Sequence, residues 1–134
     1  MENKIKLKII EDSFLQNVKK YIEDGNPINV IVNESGWTLL HFATEFLNIE
    51  VIEYLVNNGH EINIKDKYGQ TPLHIAIDSE IDNTVQNNVQ LNFYVTKKLI
   101  DFGADYTIKD NKGKTPLDWL DAYGDKAKRV LIKM

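Results

Sequence analysis

The chain has 134 residues, 43% of them hydrophobic, which is enough to bury the core of one globular domain. It contains no cysteine, which excludes disulfides and thiolate metal sites, and its formal charge of -4 disfavours nucleic acid as a partner. No apolar run reaches the roughly 18 residues of a membrane helix, and the N-terminus lacks the apolar core of a signal peptide. We therefore expect a cytoplasmic protein that makes no membrane contact.

Three segments have apolar residues at helical spacing, and each is followed by a glycine that can adopt the left-handed conformation after a helix C-terminus. These segments are residues 14–22 before Gly25, residues 49–56 before Gly59, and residues 95–100 before Gly103. The pattern predicts a helix over each of them.

A second signal precedes the remaining helices. It reads "SGWTLLHFA" at 35–43, "YGQTPLHIA" at 68–76 and "KGKTPLDWL" at 112–120. The glycine suits a tight turn, the threonine suits a helix N-cap, and Pro72 and Pro116 suit the first helical position. Leu39 replaces the proline in the first copy, so the helix start there is less sharply specified.

The spacing of these signals divides the chain into four units. Gly36 and Gly69 are 33 residues apart, whereas Gly69 and Gly113 are 44 apart, so one unit carries 11 extra residues near 80–90. Ile81, Val85 and Val89 recur every four residues in that insertion, which predicts elongated helices instead of an irregular loop.

A period of 33 residues, two helices and the motif T-P-L-H-x-A together resemble the ankyrin repeat family, and "GQTPLHIA" at 69–76 matches the motif fully. The resemblance implies an all-α solenoid of stacked helix-turn-helix units with projecting hairpin turns, here called fingers. Asp118 departs from the motif, because it replaces the histidine in the last unit. The expected units are an N-terminal cap over about 1–32, repeats at 33–65 and 66–109, and a C-terminal cap at 110–134.

Chemical alternatives have little support in the sequence. The resemblance implies that His41 and His74 join neighbouring turns by hydrogen bonds, and a zinc site would need three or four converging ligands that the spacing does not offer. We expect His60 and the scattered carboxylates to be solvated. No nucleophile motif, phosphate-binding loop or cofactor motif occurs, so we expect no catalytic site, no metal and no cofactor.

In the family that the chain resembles, partners bind to the finger tips and to the exposed side of each first helix. The corresponding finger positions here are Glu34, Ser35, Trp37, Lys67, Tyr68, Gln70, Asn111, Lys112 and Lys114, and the helical positions are Glu45, Phe46, Asp78, Ser79, Ala122 and Tyr123. Aromatic residues dominate many interfaces, so we expect the rings of Trp37 and Tyr68 to lie close together along one edge. The alternatives are that Trp37 folds back on its neighbours and that Phe46 joins the core, while Trp119 packs within the last unit.

These observations predict a non-enzymatic protein that binds a partner protein, is a monomer on its own, and blocks or scaffolds its partner. One specific hypothesis is an immunity-type inhibitor of a toxin, and another is a host-interaction factor of an intracellular microbe. An enzyme or a small-ligand-binding protein is the less favoured reading. The insertion is either a second contact surface or a tolerated expansion of the fold.

Overall fold

The computed structural model describes residues 14–87 and 92–123, and this part of the chain is built from helices joined by tight turns. The helices are α1 (Phe14–Glu23), α2 (Leu39–Glu45), α3 (Ile49–Asn57), α4 (Pro72–Asn87), α5 (Tyr94–Asp101) and a 3-10 helix (Leu117–Tyr123). The predicted all-α architecture is confirmed. Within the described residues, no helix has the length and apolar character needed to cross a membrane.

The helix boundaries follow the predicted signals. Thr38 is the N-cap of α2, and Pro72 is the first residue of α4. Gly25, Gly59 and Gly103 all have positive φ directly after a helix, as a left-handed C-terminal residue should. The last threonine-proline pair departs from the expectation, because a 3-10 helix follows it one residue later.

The core lies between consecutive helices. α2 packs on α3 and α4, α4 packs on α5 and on the 3-10 helix, and α1 packs on α3. The larger apolar cluster joins the first five helices, and its side chains at the centre include Leu40, Ile52, Leu55, Leu73 and Leu99. Because each helix pair is covered by the next one, stability depends on stacking more than on any single helix.

The insertion lengthens α4, which continues to Asn87, so the helical prediction is confirmed for residues 80–87. Residues 88–91 lie outside the described part. Phe93 follows them with a left-handed φ of 53°, a conformation that is costly for a bulky side chain. Its ring is fully buried against Ile77, Ile81 and Leu120 in a second apolar cluster, and this packing stabilises the strained backbone.

Glu80 contradicts the expectation that the carboxylates are solvated, because only 6% of its surface is exposed. Its Oε1 accepts a hydrogen bond from the Val95 N–H, and its Oε2 accepts bonds from the N–H and the hydroxyl of Thr96. Val95 and Thr96 are in the first turn of α5, where N–H groups lack partners within the helix. Glu80 therefore caps α5 from α4. Phe93 occupies the N-cap position itself but has no side-chain acceptor for these N–H groups.

Candidate protein-binding surface

Three equivalent turns project from the helices and are called here the first finger (31–38), the second finger (64–71) and the third finger (108–115). The third residue of each finger is an Asn or Asp that closes its own turn: Asn33 Oδ1 accepts the Trp37 N–H, and Asp66 and Asp110 each accept two N–H groups. This local bonding fixes the shape of each finger.

Backbone hydrogen bonds join each finger to the next one. The Lys67 N–H donates to the Ser35 carbonyl at 2.8 Å, and the Asn111 N–H donates to the Tyr68 carbonyl at 2.9 Å. The Asn111 side chain adds a bond to the Lys67 carbonyl. The three fingers therefore form a continuous row in which neighbouring tips have a fixed spacing.

The histidines of the repeated motif link the same fingers from inside, which confirms the role that the resemblance implied. In His41, Nδ1 accepts the Thr38 N–H, so Nε2 carries the proton and donates it to the Gln70 carbonyl at 3.0 Å. His74 repeats this arrangement between Thr71 and the Lys114 carbonyl. Asp118 occupies the matching position in the last unit, where its Oδ2 accepts the Thr115 N–H.

His60 is buried, so the expectation that it is solvated was wrong. Its Nδ1 lies 2.9 Å from the Glu61 carbonyl, and its Nε2 has no partner within the described residues. The His60 N–H also closes the turn after α3 by donating to the Leu55 carbonyl, which draws the ring inward. Sequence position in a turn did not reveal this burial.

Burial lowers the pKa of His41, His60 and His74 below the ordinary value of 6.5. The folded chain therefore binds fewer protons than the unfolded chain, and stability is fully present above about pH 6.5 and is lost as the pH falls through the folded pKa values. We expect the free energy of unfolding in urea to decrease between pH 7.5 and pH 5.5, by at most about 1.4 kcal/mol per pH unit for each histidine.

Glu80 has the opposite effect on the pH dependence of stability, because burial raises the pKa of its carboxyl above 4.5. The Glu80→Gln variant removes that opposing titration and should retain or steepen the pH dependence. A free energy of unfolding that stays constant from pH 7.5 to pH 5.5 would contradict the assignment of three neutral, buried histidines.

Trp37 is not a free ring at the tip of the first finger. Its indole N–H donates to Asp66 Oδ2 at 3.0 Å, and its ring packs against His41 and edge-on against Phe42. The alternative reading, in which Trp37 folds back on its neighbours, is therefore correct. Trp37 is half-buried, and its indole N–H supplies a donor for the second oxygen of the buried Asp66 carboxylate.

Tyr68 and four other predicted contact residues line one cleft, with a volume of about 590 Å³, between the second finger, the third finger and the 3-10 helix. The four are Gln70, Asn111, Lys112 and Lys114. The sequence did not predict the other members of the cleft as contact residues; they are Asp110, Asp118, Trp119 and Asp121. The prediction that Trp119 packs within the last unit holds for its indole N–H, which donates to Asp110 Oδ2, but its ring contacts His74 of the preceding unit.

The other predicted contact residues are distributed unevenly. Glu34, Lys67, Glu45 and Phe46 are exposed, and 49% of the Phe46 surface is accessible, so Phe46 does not join the core. Ser79 is buried and donates its hydroxyl to Glu45, so its own accessible area is small. Ser35 and Asp78 are half-buried, and the side chains of Ala122 and Tyr123 lie outside the description.

The geometry offers no evident metal centre in the described part of the chain, where no three histidine, aspartate or glutamate side chains form a group that could hold an ion. Both oxygens of Asp66, Asp110 and Glu80 already accept hydrogen bonds from protein groups. These carboxylates maintain the shape of the fold and are not arranged around a common ligand.

Comparison with protein families agrees with the geometry. A family model for ankyrin repeats in three copies matches residues 9–87, and a single ankyrin repeat model matches residues 68–111. The first match alone covers more than half of the chain, and the chain belongs to the ankyrin repeat family.

Individual relatives share parts of the chain. An ankyrin repeat protein of Rickettsia felis is 30% identical over 110 residues, which is 80% of this chain and 46% of the relative. One from Rickettsia bellii is 40% identical, and the match covers 54% of this chain and 44% of the relative. The mouse protein phosphatase 1 regulatory subunit 12A is 36% identical, and the match covers 49% of this chain and 6% of the relative. The chain thus spans less than half the length of these relatives.

Proposed function

We propose that this chain is a non-enzymatic module that binds another protein through its finger row and the adjoining sides of α2, α4 and the 3-10 helix. The observation that carries the proposal is the rigidity of the row, in which each finger is joined to the next by backbone bonds and by a buried histidine. A surface that is ordered before binding loses little conformational entropy when it binds, so its side chains can contribute more to affinity.

The narrower proposal is that the chain acts by covering its partner in the cytoplasm. An inhibitor that neutralises a toxin is its favoured form, and a host-interaction factor is the alternative. A photo-crosslinking residue placed at position 68 would identify the partner in native cells, with position 106 as the control. Activity of the purified partner, measured with and without this chain, then separates inhibition from scaffolding.

Tyr68 gives the most direct test of the proposed surface, because it lines the cleft and 53% of its surface is exposed. We expect Tyr68→Ala to weaken partner binding at least about tenfold, which corresponds to about 1.4 kcal/mol. Isothermal titration with the captured partner measures this, and urea unfolding should show an unchanged stability.

Two other tyrosines provide matched controls, since Tyr106 and Tyr94 have 49% and 48% of their surfaces exposed. Tyr106→Ala should bind like the parent. Tyr94 lies at the start of α5, next to the insertion, and packs beneath the Lys98 ammonium. If Tyr94→Ala abolishes binding while Tyr68→Ala does not, the contact surface is at the insertion and the proposal is wrong.

A further inference from the structure

The second and third fingers concentrate positive charge in a chain whose net charge is -4. Every exposed charged residue in these two fingers is a lysine: Lys65, Lys67, Lys109, Lys112 and Lys114. Their two aspartates are not exposed: Asp66 is buried, and Asp110 is half-buried and lines the cleft. Each of them accepts turn N–H groups and an indole N–H. The outward-facing charge of both fingers is therefore positive.

The helical side of the same surface has the opposite charge. α2 and α4 contain no lysine or arginine, and Glu45 and Asp82 are exposed on them. The first finger has Glu34 as its only charged residue. A uniformly charged partner would be repelled by one half of this surface, so charge alone restricts where an acidic group can bind.

The cleft adjoins the basic fingers. Its apolar walls are the exposed ring of Tyr68 and the ring of Trp119, which is held in place by the bond to Asp110 and by the edge contact with His74. A volume of about 590 Å³ is sufficient for one or two large side chains. Lys112 and Lys114 line the finger side of this cleft, within reach of groups that flank an inserted side chain.

We propose that the cleft binds a peptide segment of the partner that has acidic side chains directly beside a large apolar side chain. The apolar group inserts between Tyr68 and Trp119, and the carboxylates contact Lys112 and Lys114 on the finger side. This inference rests on the proposed function, since it specifies the chemistry of the partner that the finger row binds. Three carboxylates also line the cleft, Asp110 on the third finger and Asp118 and Asp121 on the 3-10 helix, and they disfavour peptide carboxylates near them. The acidic residues of the peptide must therefore lie beside Lys112 and Lys114, before or after the apolar group, and not surround it.

The test uses the full chain labelled with ¹⁵N and three synthetic peptides: three glutamates followed by two leucines, three lysines followed by two leucines, and three glutamates followed by two serines. We expect the first peptide to bind at least about tenfold more tightly than the other two at low salt, with a smaller difference at high salt. Its binding should shift the indole N–H signal of Trp119 and leave that of Trp37 in place.

Lys112→Glu should weaken binding of the first peptide at least about tenfold, whereas Lys97→Glu, the same charge change at an exposed position of α5, should reduce it less than twofold. Equal or tighter binding of the lysine peptide, signal shifts outside the cleft, or binding only to a single-stranded DNA octamer would overturn the inference. If all peptides fail to bind while Tyr68→Ala still weakens partner binding, the acidic chemistry is wrong and the proposed function stands. Partner binding that is insensitive to Tyr68→Ala would instead contradict the proposed function.

Discussion

Replacing Glu80 with alanine is expected to lower the free energy of unfolding by about 3 kcal/mol. The Glu80 carboxylate accepts three hydrogen bonds from Val95 and Thr96, and alanine would leave these donors buried without a partner. An unsatisfied buried donor costs about 1–3 kcal/mol, and loss of a helix cap costs about 0.5–2 kcal/mol. Alanine is the better helix former, so a change in helix propensity alone would have the opposite sign.

Urea unfolding of the parent and the variant gives the difference directly. Asp82→Ala is the matched control, because Asp82 is exposed on the same helix, and its effect should stay within about 0.5 kcal/mol. Glu80→Gln keeps one acceptor oxygen and should have an intermediate effect. Amide exchange at Val95 and Thr96 should become faster in Glu80→Ala; equal stability and unchanged exchange would show that α5 does not depend on this cap.

The fold was predictable because its signals are local and repeated. A threonine before a helix, a proline in its first turn and a glycine after its end each specify backbone conformation within a few residues. The histidine bonds were predictable for a related reason: His41 and His74 occur at equivalent positions, and the resemblance to a known family indicated what such residues contact.

Two of the errors concern side chains whose partners are distant in sequence. Trp37 and Asp66 are 29 residues apart, and Glu80 caps a helix that begins 14 residues later. The local sequence does not show that a carboxylate will be buried or that an indole will turn inward. Burial of such a group depends on which hydrogen-bond donor or acceptor the fold places opposite it. One signal for Glu80 was available, because Phe93 cannot cap α5 and the helix therefore needs an acceptor from elsewhere.

The candidate surface is an intermediate case. Equivalent positions in the repeat placed Tyr68, Gln70, Lys112 and Lys114 in the same region, and the structure shows that they line one cleft. The sequence did not indicate that the 3-10 helix closes this cleft with Trp119, because the last unit departs from the motif at Asp118. Sequence equivalence thus predicted that Lys67, Tyr68 and Lys112 are exposed on the fingers, but it also placed Trp37 there, whose indole turns inward. The concave shape depends on packing at the end of the stack.

Gly69→Ala is the second substitution expected to have a large effect, and Gly113→Ala is its matched control. Both glycines have nearly the same positive φ, 76° and 77°, so alanine has the same backbone cost of about 1 kcal/mol at each. They differ in their surroundings. A Cβ at Gly69 would lie 2.8 Å from the backbone N of Asn111 and 2.6 Å from its Oδ1, whereas a Cβ at Gly113 would meet nothing within 4 Å.

We therefore expect Gly113→Ala to reduce the free energy of unfolding by about 1 kcal/mol and Gly69→Ala by about 3 kcal/mol, since overpacking against backbone adds about 1–3 kcal/mol. Gly69→Ala should also weaken partner binding, because the third finger must move away from the second and thereby change the cleft beside Tyr68. Urea unfolding and titration of both variants with the partner test this pair. Equal losses of stability at the two positions would show that the third finger moves away from the second at little cost in free energy. Such a mobile finger row could not provide the ordered surface on which the proposed function depends.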